Sequence, residues 1–260
     1  MPRHAPTTPP HFITLVLLAA LSVLSLNMFL PSLASIATDL QADYALVSLA
    51  VSGYLAITAV MQLIVGPLSD RFGRRPLLLA SLTVFTLASL GCMLATDIRV
   101  FLAFRMTQAA IASGWGLSMA MIRDSHPEQQ AASLMGYVSM AMAVGPMVGP
   151  MIGGGLDELF GWRANFLLFG AAGLLMLGIC WVDVGETHKN PSATFSTQFR
   201  AYPALLGSGR FWGHALCMTF SVGTFYTFLA GAPLVAAAVL DLSPAVLGLF
   251  MGSTTAGFGV

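Results

Sequence analysis

Charge is the scarcest thing in this chain. Of 260 residues only 8% are Asp, Glu, Lys or Arg, with eleven basic residues balancing eleven acidic ones, while 57% are hydrophobic. That apolar surface exceeds what one core of this length can hide, which excludes an ordinary soluble domain and leaves the bilayer as solvent. No basic field is present, which argues against nucleic acid as a partner, since that affinity comes mostly from neutralising phosphates. Cysteine is also sparse. Cys92, Cys180 and Cys217 stand singly inside apolar runs, without paired or metal-type spacing, and read as small buried hydrophobes. There is no GxxxxGK[ST] sequence, no metal-spaced His or Cys set and no nucleophile pair, so neither a nucleotide partner, nor a cofactor, nor enzyme chemistry is expected.

What the chain has is long apolar runs. A helix needs about 20 residues at 1.5 Å rise to cross roughly 30 Å of hydrocarbon. On that measure spans are predicted at 12–30, 46–68, 76–95, 100–122, 132–156 and 164–182. A polar stretch over 183–209 follows, then a seventh span over 211–239 and an eighth that begins after Pro244 and is unfinished at Val260. The first run is too long for a signal-peptide core and no small-x-small cleavage site follows it, so it reads as a transmembrane helix. The fold class is an all-α polytopic membrane protein. Because the last residues lie inside an apolar segment, the chain is expected to be the front part of a longer protein.

Basic residues orient the spans, because they are retained on the cytoplasmic side. Arg3, Arg71, Arg74, Arg75, Arg123, Lys189, Arg200 and Arg210 fall on one side, Arg99 and Arg163 on the other. The expected N-terminus is therefore cytoplasmic. Asp39, Asp43, Asp97, Asp157, Glu158 and Asp241 mostly decorate outer connections. Within the polar stretch Phe195, Phe199, Tyr202 and Leu206 recur at helical spacing, which suits either a short helix at the bilayer interface or an ordinary linker.

Candidate functional residues stand out against this background. Arg105 is the one charged side chain predicted well inside a span; an arginine there costs roughly 2.5 to 3.5 kcal/mol on insertion scales, so it faces a cavity or a polar partner, or else snorkels to the outer interface. Gln108 follows on the same face, and Gly114 and Gly116 keep the deeper part slim. Asn27 and Pro31 share a face at the outer end of the first span, offering an amide and a freed carbonyl. Tyr54, Thr58 and Gln62 make an i, i+4, i+8 polar stripe down the second span, suited equally to lining a cavity and to holding a neighbouring helix. His214 opens the seventh span and reads as solvated rather than proton-carrying.

The fifth span carries Gly145, Pro146, Gly149, Pro150, Gly153, Gly154 and Gly155. Gly145, Gly149 and Gly153 form a double GxxxG face for close backbone approach, and the two prolines remove donors and bend the helix, which suits a gate at a moving interface. Between the second and third spans stands Gly66-Pro-Leu-Ser-Asp70-Arg71-Phe-Gly73-Arg74-Arg75-Pro76. Here Gly66 and Gly73 permit a tight reversal and Pro76 suits the next helix's first turn. Arg71, Arg74 and Arg75 suit positive-inside anchors on anionic lipid. Asp70 beside them suggests a charge clasp able to break and reform.

These motifs together resemble the major facilitator superfamily of secondary transporters, built as two six-helix halves. Residues 66–75 are similar to its GxxxDRxGRR signature with every key position present. Arg105 and Gln108 match RxxQG of the fourth helix, with Ala109 in place of the glycine, and residues 145–154 resemble the fifth-helix pattern of antiporters. Asn27-Met-Phe-Leu-Pro31-Ser-Leu, Arg123-Asp124 and Gly161-Trp162-Arg163 with Phe166 are similar to the Bcr/CflA drug-resistance branch. The resemblance implies a six-helix bundle at 1–182, a central cytoplasmic loop at 183–210 and the start of a second bundle at 211–260. It implies export of small amphipathic, drug-like molecules across a bacterial inner membrane by proton antiport with alternating access. Lipid, substrate and protons are the expected partners, and the proton gradient is the energy source. Arg105, Gln108, Asn27, Tyr54, Gln62 and Tyr137 are then the substrate and coupling candidates, with Trp115, Met140, Phe225 and Phe228 available as an apolar lining. Gly66, Asp70, Arg71, Gly73, Arg74 and Arg75 become a conformational latch pairing with the other half.

One departure matters. Members of this branch commonly carry an aspartate where Asn27 stands, and Asn27 cannot titrate; no other acid falls inside the first seven predicted spans. The coupling acid is thus beyond this chain, at a helix end, or absent. An uncoupled metabolite facilitator is the alternative, and a seven-helix receptor or assembly protein a lesser one.

Overall fold

The computed structural model describes residues 10–187, 203, 206–240 and 242–256, and every regular element among them is helical. The suggested interfacial helix at Phe195, Phe199 and Tyr202, together with Arg3, Lys189, Arg200 and Asp241, lies outside the described residues.

The chain runs through α1 (Phe12–Asn27), a 3-10 turn (Leu30–Ser32) and α2 (Leu33–Asp39) as one path, which corrects the predicted end of the first span at Leu30. Pro31 has no N–H to give to an α-helix, so the path tightens there, with the Ser32 N–H donating to the Phe29 carbonyl at 2.9 Å, and then resumes. It continues because its next face is buried: Ser32, Leu33 and Ile36 are all enclosed.

Asp43 caps α3 (Tyr44–Val47) by accepting the Ala45 N–H at 3.0 Å, and α4 (Leu49–Phe72) follows. Gly66 lies within α4. The reversal into α5 (Arg74–Leu94) is made by Gly73 alone, at φ +96°, so the sequence reading that gave the turn to both glycines is corrected. That φ lies in the left-handed region that glycine alone adopts without strain.

Asp97 then caps α6 (Ile98–Gln108), accepting from Arg99 N at 2.7 Å. A 3-10 segment (Ala109–Ala112) separates α6 from α7 (Ser113–Ser125), so the predicted fourth span is three consecutive helical pieces. Next come α8 (Glu128–Phe160), with Pro146 and Pro150 inside it, and α9 (Arg163–Asp183). After the connection stand α10 (Gly209–Val239) and α11 (Pro244–Ala256).

Among the described residues six helical stretches are long and apolar enough to cross a bilayer: Phe12–Asp39, Tyr44–Phe72, Arg74–Leu94, Glu128–Phe160, Arg163–Asp183 and Gly209–Ala236. Many large apolar side chains point outward, such as Leu87, Leu174, Leu175 and Val182. Lipid gives no reason to hide them, so helix packing relies on small residues and interlocking rings instead. Phe166 is the hub of those rings, meeting Phe29, Phe101, Trp162 and Phe169 with centroids 5.4 to 5.9 Å away. The helical ends near Asp70, Asp124 and Asp183 form one end of the bundle, the basic end. Those near Asp39, Asp157 and Trp162 form the far end.

Candidate functional site

Arg105 lies at the centre of a closed polar node. It is fully buried, and each part of its guanidinium has a partner: Nε donates to the Ala50 carbonyl at 3.2 Å, Nη2 to the Ser25 carbonyl at 2.9 Å, and Nη1 to Gln108 Oε1 at 2.5 Å. The Phe29 and Tyr54 rings each lie 4.1 Å from its central carbon. Gln108 passes the network on, donating to Ser89 Oγ at 2.7 Å, while Tyr54 shares a 2.9 Å hydrogen bond with Ser25. The node thus ties α1, α4, α5 and α6 together through carbonyls and rings, with no carboxylate on Arg105 among the described residues. Carbonyl dipoles and ring faces satisfy a cation without discharging it, which is how a charge is kept in a low-dielectric setting.

The other candidates fall elsewhere. Asn27 is buried, its Nδ2 donating to the Val23 carbonyl at 2.8 Å, with the Tyr226 hydroxyl of α10 beside its side chain. Thr58 Oγ1 and Trp115 Nε1 are buried and have no hydrogen-bond partner among the described residues, so a hydroxyl and an indole donor remain for a ligand or water. Gln62 is exposed at the rim of a recess of about 150 Å³ that also involves Ser69, Arg74 and Gly116. Tyr137 and Met140 are exposed on one face of α8, with Tyr137 edge-on to Phe12 at 6.4 Å. Phe225 is half-buried, Phe228 is exposed, and His214 stands exposed on α10.

At the basic end the Gly73 corner carries its charges on the two helix ends. Arg74 Nη1 meets Asp70 Oδ1 at 2.7 Å, and its Nε meets Asp124 Oδ2 at 3.2 Å. Arg74 also donates to Ser69 Oγ. Arg75 donates to the Trp181 carbonyl at 2.8 Å. Glu186 caps α5, accepting the N–H groups of Arg74 at 3.0 Å and Arg75 at 3.2 Å, a placement the helix dipole favours. Sequence reasoning missed Glu186 and the Arg74–Asp124 pair. Nothing local announces either, since the partners come from 112 and 50 residues away.

The glycine–proline helix has two opposed faces. A Cβ at Gly145 would press Val23 at 2.6 Å, one at Gly149 would meet the Met28 N at 3.4 Å, and one at Gly153 would collide with the Met28 carbonyl, so this stripe seats α1. On the other face Gly154 abuts the Pro244 carbonyl, and Gly248 and Gly252 of α11 abut the carbonyls of Pro150 and Met147. Gly248 and Gly252 are themselves a GxxxG pair that sequence reasoning overlooked. α8 is therefore clamped between a helix of the first bundle and a helix of the second. It also runs on to Phe160, four residues past the predicted end, which brings Asp157 and Glu158 into the helix.

Comparison with known proteins agrees with this arrangement. The profile of the Major Facilitator Superfamily matches residues 15–260. An uncharacterised MFS-type transporter, YdgK, of Bacillus subtilis is 34% identical over 91% of this chain and 60% of its own length. The chloramphenicol resistance protein of Pseudomonas aeruginosa is 31% identical over 82% of this chain and 51% of its own length, and multidrug resistance protein D of Escherichia coli 31% over 88% and 58%. The chain thus spans about half to three fifths of these relatives. Among solved structures, a bacterial homologue of the human lysosomal transporter Spinster, inward-facing and unoccupied, superposes with a TM-score of 0.79 over 95% of this chain and 60% of its own, at 20% identity. Profile, relatives and helical architecture agree: this integral membrane chain belongs to the major facilitator superfamily of transporters, on its Bcr-type drug-resistance side.

Proposed function

We propose that the protein exports small amphipathic, drug-like molecules across a bacterial inner membrane, with its N-terminus cytoplasmic, by proton antiport and alternating access. The observation that carries this reading is where the two bundles touch. Their described contacts run from the far end inward: Tyr44 Oη donates to the Ala230 carbonyl at 2.8 Å and Ala245 N–H to Glu158 Oε2 at 3.2 Å, the α8–α11 glycines bring backbones together as far as Met147, and Tyr226 of α10 stands beside Asn27. Toward the basic end no described residue of the first bundle lines the groove along α10, whose wall is Thr219, Phe220, Gly223, Thr224, Thr227 and Phe228 of that helix alone. Two bundles joined toward one end are what a rocking transporter presents in one of its two states. The exposed Tyr137 and Met140 face, and the drug-resistance names of several relatives, support an amphipathic substrate.

The test is ethidium efflux by the full-length protein in inverted vesicles under an imposed pH gradient. Gradient-dependent accumulation of dye inside the vesicles is expected. Asn27, a buried amide that cannot titrate, favours a second reading, an uncoupled facilitator. Dye movement indifferent to the gradient selects that one.

A further inference from the structure

With Asn27 unable to titrate, the proton needs another carboxyl. Asp157 is 8% exposed, at the far end of α8, on the wall of a cavity of about 530 Å³ that both bundles line. We propose that Asp157 is a proton-binding site whose state governs the far-end seam; this rests on the proton-coupled reading above.

Hydroxyls, and no cation, serve this carboxyl. Ser35 Oγ donates to Asp157 Oδ2 at 2.7 Å, and Ser32 is the second hydroxyl beside it, itself accepting from Asn165 Nδ2 at 3.1 Å. No ion pair forms to Asp157 among the described residues. The charged groups around it are committed elsewhere. On its own helix Glu158 accepts the Ala245 N–H of α11. Across the cavity Arg163 of α9 pairs with Asp39 at 2.6 Å and donates to the Ala95 carbonyl at 3.1 Å, while Trp162 Nε1 donates to Asp39 at 3.2 Å. Among the described residues of α10, α11 and the turn between them the wall is Pro233, Leu242, Pro244 and Leu247, none of which titrates.

A bare carboxylate here feels the charge of Glu158 one residue on, and the neighbouring Gly154 lies against the Pro244 carbonyl, so negative charge and a carbonyl dipole share one seam. Taking up a proton removes that charge and leaves an acid O–H to donate within the serine cluster. Protonation therefore favours the closed far end, and proton loss loosens it. A proton entering from the outer face would then close that face behind it, the order an antiporter requires.

The experiment uses the full-length protein in detergent with a pH-indicator dye and ethidium as the added substrate. Substrate-induced proton release is expected from the wild type and from Asp157→Glu, and its loss to background from Asp157→Asn. Ser35→Ala removes a donor to the carboxylate, so the pH of half-maximal release should move upward; this variant serves if Asp157→Asn does not elute as a monodisperse protein. Release by Asp157→Asn equal to wild type, or an unmoved midpoint in Ser35→Ala, overturns the assignment. Absence of release from the wild type instead removes the proton-coupled reading, and this inference with it.

Discussion

Arg105 and Arg74 are both arginines with several partners, and they are held in opposite ways. Arg105 has backbone carbonyls, one amide and two ring faces, all buried, and no acid among the described residues. Arg74 has Asp70 and Asp124 at a partly solvated corner. Carbonyls and rings cannot leave, because the helices that carry them are the fold. Acid partners near water can let go, since solvent and ions replace much of what they provide. A fixed charge and a releasable one thus coexist in one bundle: the first suits holding a cavity in shape, the second suits a clasp.

The largest test of that contrast is Arg105→Ala. It strands two carbonyls and Gln108, so it should lower stability by about 3 kcal/mol and abolish ethidium efflux. Arg105→Lys should not restore efflux, because one ammonium cannot reach three separate acceptors in the guanidinium's planar geometry. Wild-type efflux from either variant at normal expression would erase the distinction. Next, Arg74→Ala should reduce efflux strongly while changing the thermal unfolding free energy by only about 1 kcal/mol, as expected of a partly exposed pair. Unfolding as severe as that of Arg105→Ala would mean the corner is also structural. Asp70→Asn should be milder in stability but still slow transport; unchanged transport counts against a latch. The smallest effect is expected from Glu186→Gln, which keeps the cap but removes its charge, at roughly 0.5 kcal/mol measured by thermal melts at low salt and less at high salt.

The helices were legible because lipid forces length and apolarity on each of them: the first seven predicted spans lie within the helical stretches that the structure describes, apart from Ala95 just past α5, although the first stretch runs on to Asp39 and the fifth to Phe160. What escaped were features set by distant partners. Ser32, Ser35 and Asp39 look like a loop in sequence, yet they extend the first helical path because Asp157, Asn165 and Arg163 wait for them across the bundle. Arg105 and Gln108 could be picked out by their isolation among apolar residues. That their partners would be the Ala50 and Ser25 carbonyls could not, because carbonyls are identical in every residue. The glycines of α8 pointed to close approach without saying that two different helices would share it.

Gly73 joins two long helices through a single residue. Such a corner has no slack. A tilt of α4 must be handed on to α5 at once, and Glu186, which grips the first turn of α5 from just beyond α9, hands it on again. The corner behaves as a crank, and its worth lies in its shortness: two extra residues after Gly73 would leave every charge in place and still let the shafts turn independently.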